Sequence, residues 1–189
     1  MKKLLLSIAM IAVGFTASAQ GFEKSDVYLT GTVGFNNESL GDFSSSLFTF
    51  SPSAGYFVSE NIALELGLTF ASGENEATDT EASVFGVGLG ASYFFTPSEK
   101  FSFIVGAGFS YSNESSEEFG VEQPDQSIFG FTVSPGINYF ISESFALRAS
   151  IGALSYRNTS VDIDGADSIN NFGLNLNLSN IELGLTYKF

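Results

Sequence analysis

The last nine residues, I-E-L-G-L-T-Y-K-F from Ile181 to Phe189, constrain the chain most. In an extended chain Ile181, Leu183, Leu185, Tyr187 and Phe189 fall on one side, and Glu182, Gly184, Thr186 and Lys188 on the other. One face is oily and the other is small or polar. A strand of about 9 to 11 residues with this alternation, ending on an aromatic ring, meets the requirement for a tilted strand that crosses a bilayer.

The same alternation recurs along the chain. Val27, Leu29, Val33 and Phe35 oppose Tyr28, Thr30, Thr32 and Gly34. Phe48 to Val58 carries its apolar residues on even positions, as does Ile62 to Phe70, while Phe85 to Phe95, Phe101 to Tyr111 and Phe129 to Ile141 carry theirs on odd ones. A seventh strand runs from Phe145 to Tyr156, and an eighth occupies 172–189, where the apolar set slips from even to odd positions at Ser179-Asn180. A one-residue slip turns every side chain to the other face, so a bulge is expected there. Connections alternate between short turns (around 59–61, 96–100 and 142–144) and longer polar stretches (72–82, 112–126 and 157–171). The pattern predicts an all-β fold, an eight-stranded antiparallel up-and-down transmembrane β-barrel. A soluble lipocalin-like barrel would reverse the two faces, with apolar residues around a ligand.

Residues 1–19 read as a secretory signal peptide: Lys2 and Lys3, an apolar core from Leu4 to Val13, then Ala17-Ser18-Ala19 as the cleavage site. Residues 20–189 are then the barrel domain. With Lys2 and Lys3 in the leader, the mature chain has 21 acidic against five basic residues. That balance argues against nucleic acid as a partner, which needs Lys/Arg clusters. There is no cysteine and no histidine. Disulfides, thiolate metal sites and the commonest general base are thereby excluded, and no enzymatic activity is expected.

An internal repeat marks one end of the strands. Gly55-Tyr56-Phe57-Val58-Ser59-Glu60 matches Asn138-Tyr139-Phe140-Ile141-Ser142-Glu143, and Ser92-Tyr93-Phe94-Phe95 holds the equivalent place before the second turn. Tyr56, Tyr93 and Tyr139 are expected outward in an aromatic girdle, with Phe57, Phe94 and Phe140 inward as a plug. Pro52 and Pro135 lie four residues before Tyr56 and Tyr139, and each predicts a bulge, since proline cannot donate to the ladder. The Ser51–Leu64 pattern, S-P-x-x-G-Y-F-V-S-E-N-x-A-L, resembles the small porin-like outer-membrane β-barrel family of Bacteroidetes, and the fold resembles the OmpA/OmpX type. The terminal Tyr187-x-Phe189 is similar to the closing strand that serves that family as its insertion signal. The resemblance implies a monomer in the bacterial outer membrane among lipids and lipopolysaccharide, assembled by the barrel-assembly machinery through its C-terminal strand.

Two sets of side chains are candidates for chemistry. Glu65, Arg148, Glu182 and Lys188 are charges on the inward face, and Arg148 is expected to bridge Glu65 and Glu182, because an unpaired charge in a narrow lumen is costly. In these long connections, and in the one after the first strand that holds Glu38 and Asp42, fall fourteen of the 21 acidic residues. Among them Asp162, Asp164 and Asp167 are the best candidates for a loop-bound Ca²⁺ or Mg²⁺, since hard cations select clustered carboxylates. The expected function is structural and surface-interacting, with a filled lumen and acidic external loops; the alternative is a narrow porin-like channel.

Overall fold

A computed structural model describes residues 21–40, 43–152, 154–163, 165–174 and 181–189. Its strands are β1 (Val27–Leu40), β2 (Phe43–Phe57), β3 (Ile62–Asn75), β4 (Thr80–Phe94), β5 (Phe101–Glu118), β6 (Val121–Glu122), β7 (Gln126–Phe140), β8 (Phe145–Ile151), β9 (Leu154–Val161), β10 (Ile169–Leu174) and β11 (Ile181–Lys188). The strands β1, β2, β3, β4, β5 and β7 are successive antiparallel neighbours. Strands β8 and β9 are the two halves of a seventh stave against β7, β10 and β11 form an eighth, and β11 returns to β1. The result is an eight-stave closed barrel, with β6 a short flap folded back on the tip of β5.

The apolar rows face outward. Leu64, Leu66, Leu89, Phe103, Phe109 and Leu183 are each more than half exposed, whereas the buried cluster consists of inward residues at the short-turn end. A single file of staves leaves no second layer to cover the outer face, so only surrounding hydrocarbon can take it out of water. From Phe85 to Phe95 the chain advances about 33 Å at roughly 3.3 Å per residue, which at a tilt near 40° gives about 25 Å of height. That height matches the apolar band of an outer-membrane barrel.

The strands outrun the hydrophobic pattern. Residues 72–75, 80–82 and 112–118, which read as loop, are continuations of β3, β4 and β5, paired in register up to Asn75–Thr80 and Thr80–Glu118. Above the hydrocarbon the outer face is wet, so the alternation disappears while backbone pairing persists.

Neither proline produces a bulge in its own strand. Pro52 stands opposite Gly31, and β2 keeps one offset against β3 on both sides of it, Phe50 facing Phe70 and Ser53 facing Gly67. Pro135 pairs in unbroken register with Val105. The missing donor interrupts a ladder bond, but apolar residues on both flanks hold the register. The extra residue falls instead on the stave beside Pro135. Gly136 faces Ser150 and Val133 faces Leu154, so three steps on β7 match four on its neighbour.

The eighth stave shifts over the same height. Ile181 faces Ile151 and Leu174 faces Leu154, so seven steps stand against three. The slip expected at Ser179-Asn180 lies outside the described residues. Below this level Leu147, Leu183 and Leu185 share the outer face; above it Leu154 and Tyr156 do, opposite Val133 and Phe131, together with Phe172 and Leu174. Both staves change parity together, which keeps both outer rows apolar.

Candidate functional site: the barrel interior

The floor of the lumen is aromatic. Phe57, Phe94 and Phe140 come from the ends of β2, β4 and β7, where the turn is tight and the inward position is the last of its strand, and each is fully buried. Tyr28 of β1 joins them. At their centre is a residue with no strand to announce it: Phe22, in the segment ahead of β1, whose ring lies 4.8 Å from Phe57, 4.9 Å from Phe140, 5.1 Å from Tyr28 and 5.5 Å from Phe94. Stacked, tilted and edge-on pairs at these distances add to the burial of each ring. Tyr56, Tyr93 and Tyr139, one residue away from the three phenylalanines, face outward.

Tyr28 needs room, and Gly55 supplies it. Gly55 is the residue directly opposite Tyr28 on β2, and a Cβ there would fall inside the Tyr28 ring. Gly55→Ala should therefore push the ring out of its place and lower stability by about 1–3 kcal/mol, read as an earlier midpoint in denaturant unfolding of the detergent-folded barrel.

Directly on this floor sits the ion pair. Arg148 Nη1 donates to Glu65 Oε1 at 2.8 Å, and its Nη2 lies 3.4 Å from the Tyr28 hydroxyl, which itself donates to the same Glu65 oxygen. The guanidinium also stands over two of the plug rings, 5.4 Å from the centre of Tyr28 and 5.3 Å from that of Phe94. Arg148 Nε is buried with no partner among the described residues.

Glu182 and Lys188 do not join the pair. Glu182 faces Ser150, and Arg148 faces Gly184, two residues further along β11; the arginine reaches across the lumen to β3 instead. Lys188 is six residues beyond Glu182, about 20 Å along a strand. Its Nζ binds Asp26 Oδ2 at 2.9 Å and the Gly21 carbonyl at 2.7 Å. Charges that share an inward face are thus separated by height.

Above the floor most inward side chains are too short to meet across the bore, though neighbours on adjacent staves touch, as Thr30 does Thr186 at 2.8 Å. Thr30, Thr32, Ser51, Ser53, Thr69, Ser92, Ser110, Thr132, Ser134 and Ser150, with Glu65, Arg148 and Glu182, line a cavity of about 310 Å³. The wall is hydroxyl-rich, which suits water rather than an apolar ligand.

At the opposite rim the acids form a row. Glu74 faces Glu81, Glu81 faces Glu117, and Glu117 faces Glu122 across four successive strands. Like charges directly opposite one another repel. The described residues include no group of three or more acids gathered to hold a metal. Asp162 and Asp167 lie in an exposed connection, and Asp164 is outside the described residues.

Tyr187 and Phe189 end the last stave with their rings edge-on at 5.0 Å, Tyr187 also meeting Phe145 of β8 at 5.0 Å. The Phe189 N–H donates to Val27 O at 3.1 Å, which closes the ring of strands at its foot.

Comparison with known proteins agrees with this architecture. Neisserial surface protein A is similar in fold, with a TM-score of 0.56 at 19% identity over 86% of this chain and 97% of that one. So are the N-terminal β-barrel domain of Pseudomonas aeruginosa OprF, with a TM-score of 0.54 at 18% identity over 90% and 100% of the two chains, and Escherichia coli outer membrane protein W, at 0.51 and 20% over 88% and 99%. No curated protein matches by sequence. The family model described as "Outer membrane protein beta-barrel domain" matches residues 5–189, and the chain belongs to that family.

Proposed function

We propose that this protein is a non-enzymatic, structural and surface-interacting barrel of the bacterial outer membrane, exported by its 1–19 leader, with a lumen closed at the periplasmic end and acidic hairpins presented outside. The observation that carries this reading is the Phe22 ring, set in the middle of Tyr28, Phe57, Phe94 and Phe140, with the Arg148–Glu65 pair against them. Eight staves enclose a bore just wide enough for side chains, and here five rings occupy one level of it. The short turns that carry these rings belong on the periplasmic side, and the longer acidic connections outside. Lipid and lipopolysaccharide surround the outer face, and the C-terminal strand ending at Tyr187 and Phe189 is what the barrel-assembly machinery would engage.

The second reading, a narrow channel for small solutes, draws on the hydroxyl-lined cavity above the floor. Planar-bilayer recording of refolded protein separates the two. The closed barrel gives no resolvable current steps, with heat-modifiable gel migration of the same sample as proof of folding. Discrete steps from a correctly migrating sample would establish the channel.

A further inference from the structure

The barrel closes where its first stave meets its last, and this seam depends on a segment that is in neither. Among the described residues β1 and β11 pair from Tyr28 to Val33 against Lys188 to Leu183, whereas β1 and β2 pair along all of Val27–Leu40. Residues 21–26 lie across the foot of this shorter ladder. Lys188, next to last in the chain, holds them twice, through Asp26 at 2.9 Å and the Gly21 carbonyl at 2.7 Å.

The same segment is tied to two other places on the rim by three backbone hydrogen bonds. The Phe22 N–H donates to Pro97 O at 2.6 Å, in the turn after β4. Ser25 N–H donates to Phe57 O, and Phe57 N–H to Asp26 O, both at 2.9 Å. Gly21 is packed so closely on Pro97 and Ser98 that a Cβ would collide with their backbone. Ser25 has φ of 77°, a left-handed conformation that costs a non-glycine residue and persists when the surrounding contacts over-determine it. Finally, the socket for the Phe22 ring is built from β1, β2, β4 and β7, so it exists only when the sheet has closed.

We propose that residues 21–26 are a clasp, in which Lys188 of the last stave and Phe22 of the strap form one cooperative unit: the seam cannot open without withdrawing the ring that fills the floor, and the ring cannot withdraw without freeing the seam. Barrel closure and the sealing of the lumen are then a single event. The sealing rests on the closed-lumen reading above, whereas the coupling of ring to seam holds whether or not the lumen conducts.

The chain has no cysteine, so one introduced thiol reports the floor cleanly. Ala63→Cys places it in the buried cluster, on β3, outside the seam and opposite Phe57, with none of the strap's hydrogen bonds to its own backbone. In the folded, detergent-solubilised barrel this thiol should react slowly with a small water-soluble maleimide. Adding Lys188→Met, at the rim, should speed the reaction at least tenfold. In the background without the cysteine, Lys188→Met and Phe22→Leu should lower the midpoint of the heat-modifiable gel transition by less together than the sum of their separate shifts, as expected of coupled residues. Should Lys188→Met prevent folding, Asp26→Asn removes the same ion pair from the other side. A thiol at position 63 that stays as protected as in the parent, or midpoint shifts that simply add, overturns the clasp.

Discussion

Glu65→Leu is expected to cost about 3–5 kcal/mol, the usual penalty for stripping a buried charge of its partner. The side chains of Arg148 and Glu65 are 11% and 20% exposed, and the guanidinium sits against the Tyr28 and Phe94 rings, so that water from the cavity above reaches it only in part. Among the described residues what remains to Arg148 is a 3.4 Å approach to the Tyr28 hydroxyl, its Nε having no partner there. Tyr28 loses its acceptor in the same step. The double variant Glu65→Leu with Arg148→Met removes both charges, and most of the stability should return, since apolar groups of similar volume often substitute for a buried pair without loss. Urea titration of the refolded barrel measures both. A single variant within 1 kcal/mol of the parent would show that the pair contributes little.

Phe22→Ala should be as damaging, by about 3–5 kcal/mol, because it empties a cavity that four other rings surround. Each of those rings sits at the end of its strand, pinned by a turn, so collapse into the space is limited. Phe119→Ala serves as the control: that ring, at a hairpin tip, is 67% exposed and its removal should change stability by no more than about 0.5 kcal/mol. Equal losses for the two variants would mean that Phe22 is not a core residue.

The contrast between these two phenylalanines marks where the sequence could be read. The barrel follows from the period of two, because a wall one residue thick between oil and a polar lumen must alternate wherever it lies in the oil. Phe57, Phe94 and Phe140 were visible in the repeat for the same reason, each occupying the last inward position before a short turn. Phe22 was not, because the strap has no period; a single ring between Gly21 and Glu23 looks like any residue after a leader. The mistaken bridge from Arg148 to Glu182 has a different origin. Alternation assigns a side chain to a face but not to a height, and height decides which charges meet. The ladder beyond residue 72 was hidden because its outer face is wet, which removes the apolar signal while leaving the hydrogen bonds.

One further consequence comes from the tyrosines. At the long-loop rim the two outward hydroxyls are already engaged within the wall, Tyr111 with Ser127 at 3.0 Å and Tyr156 with Asn170 at 2.7 Å. At the short-turn rim Tyr56, Tyr93, Tyr139 and Tyr187 face outward, and no hydrogen bond among the described residues engages their hydroxyls. Four phenols are therefore free to grip the headgroups of one leaflet, while phenylalanines such as Phe35, Phe70 and Phe85 slide in the acyl chains of the other. Moored on one side alone, the barrel can meet a thicker or thinner bilayer by adjusting its depth at the unmoored side, with its floor held at a constant level.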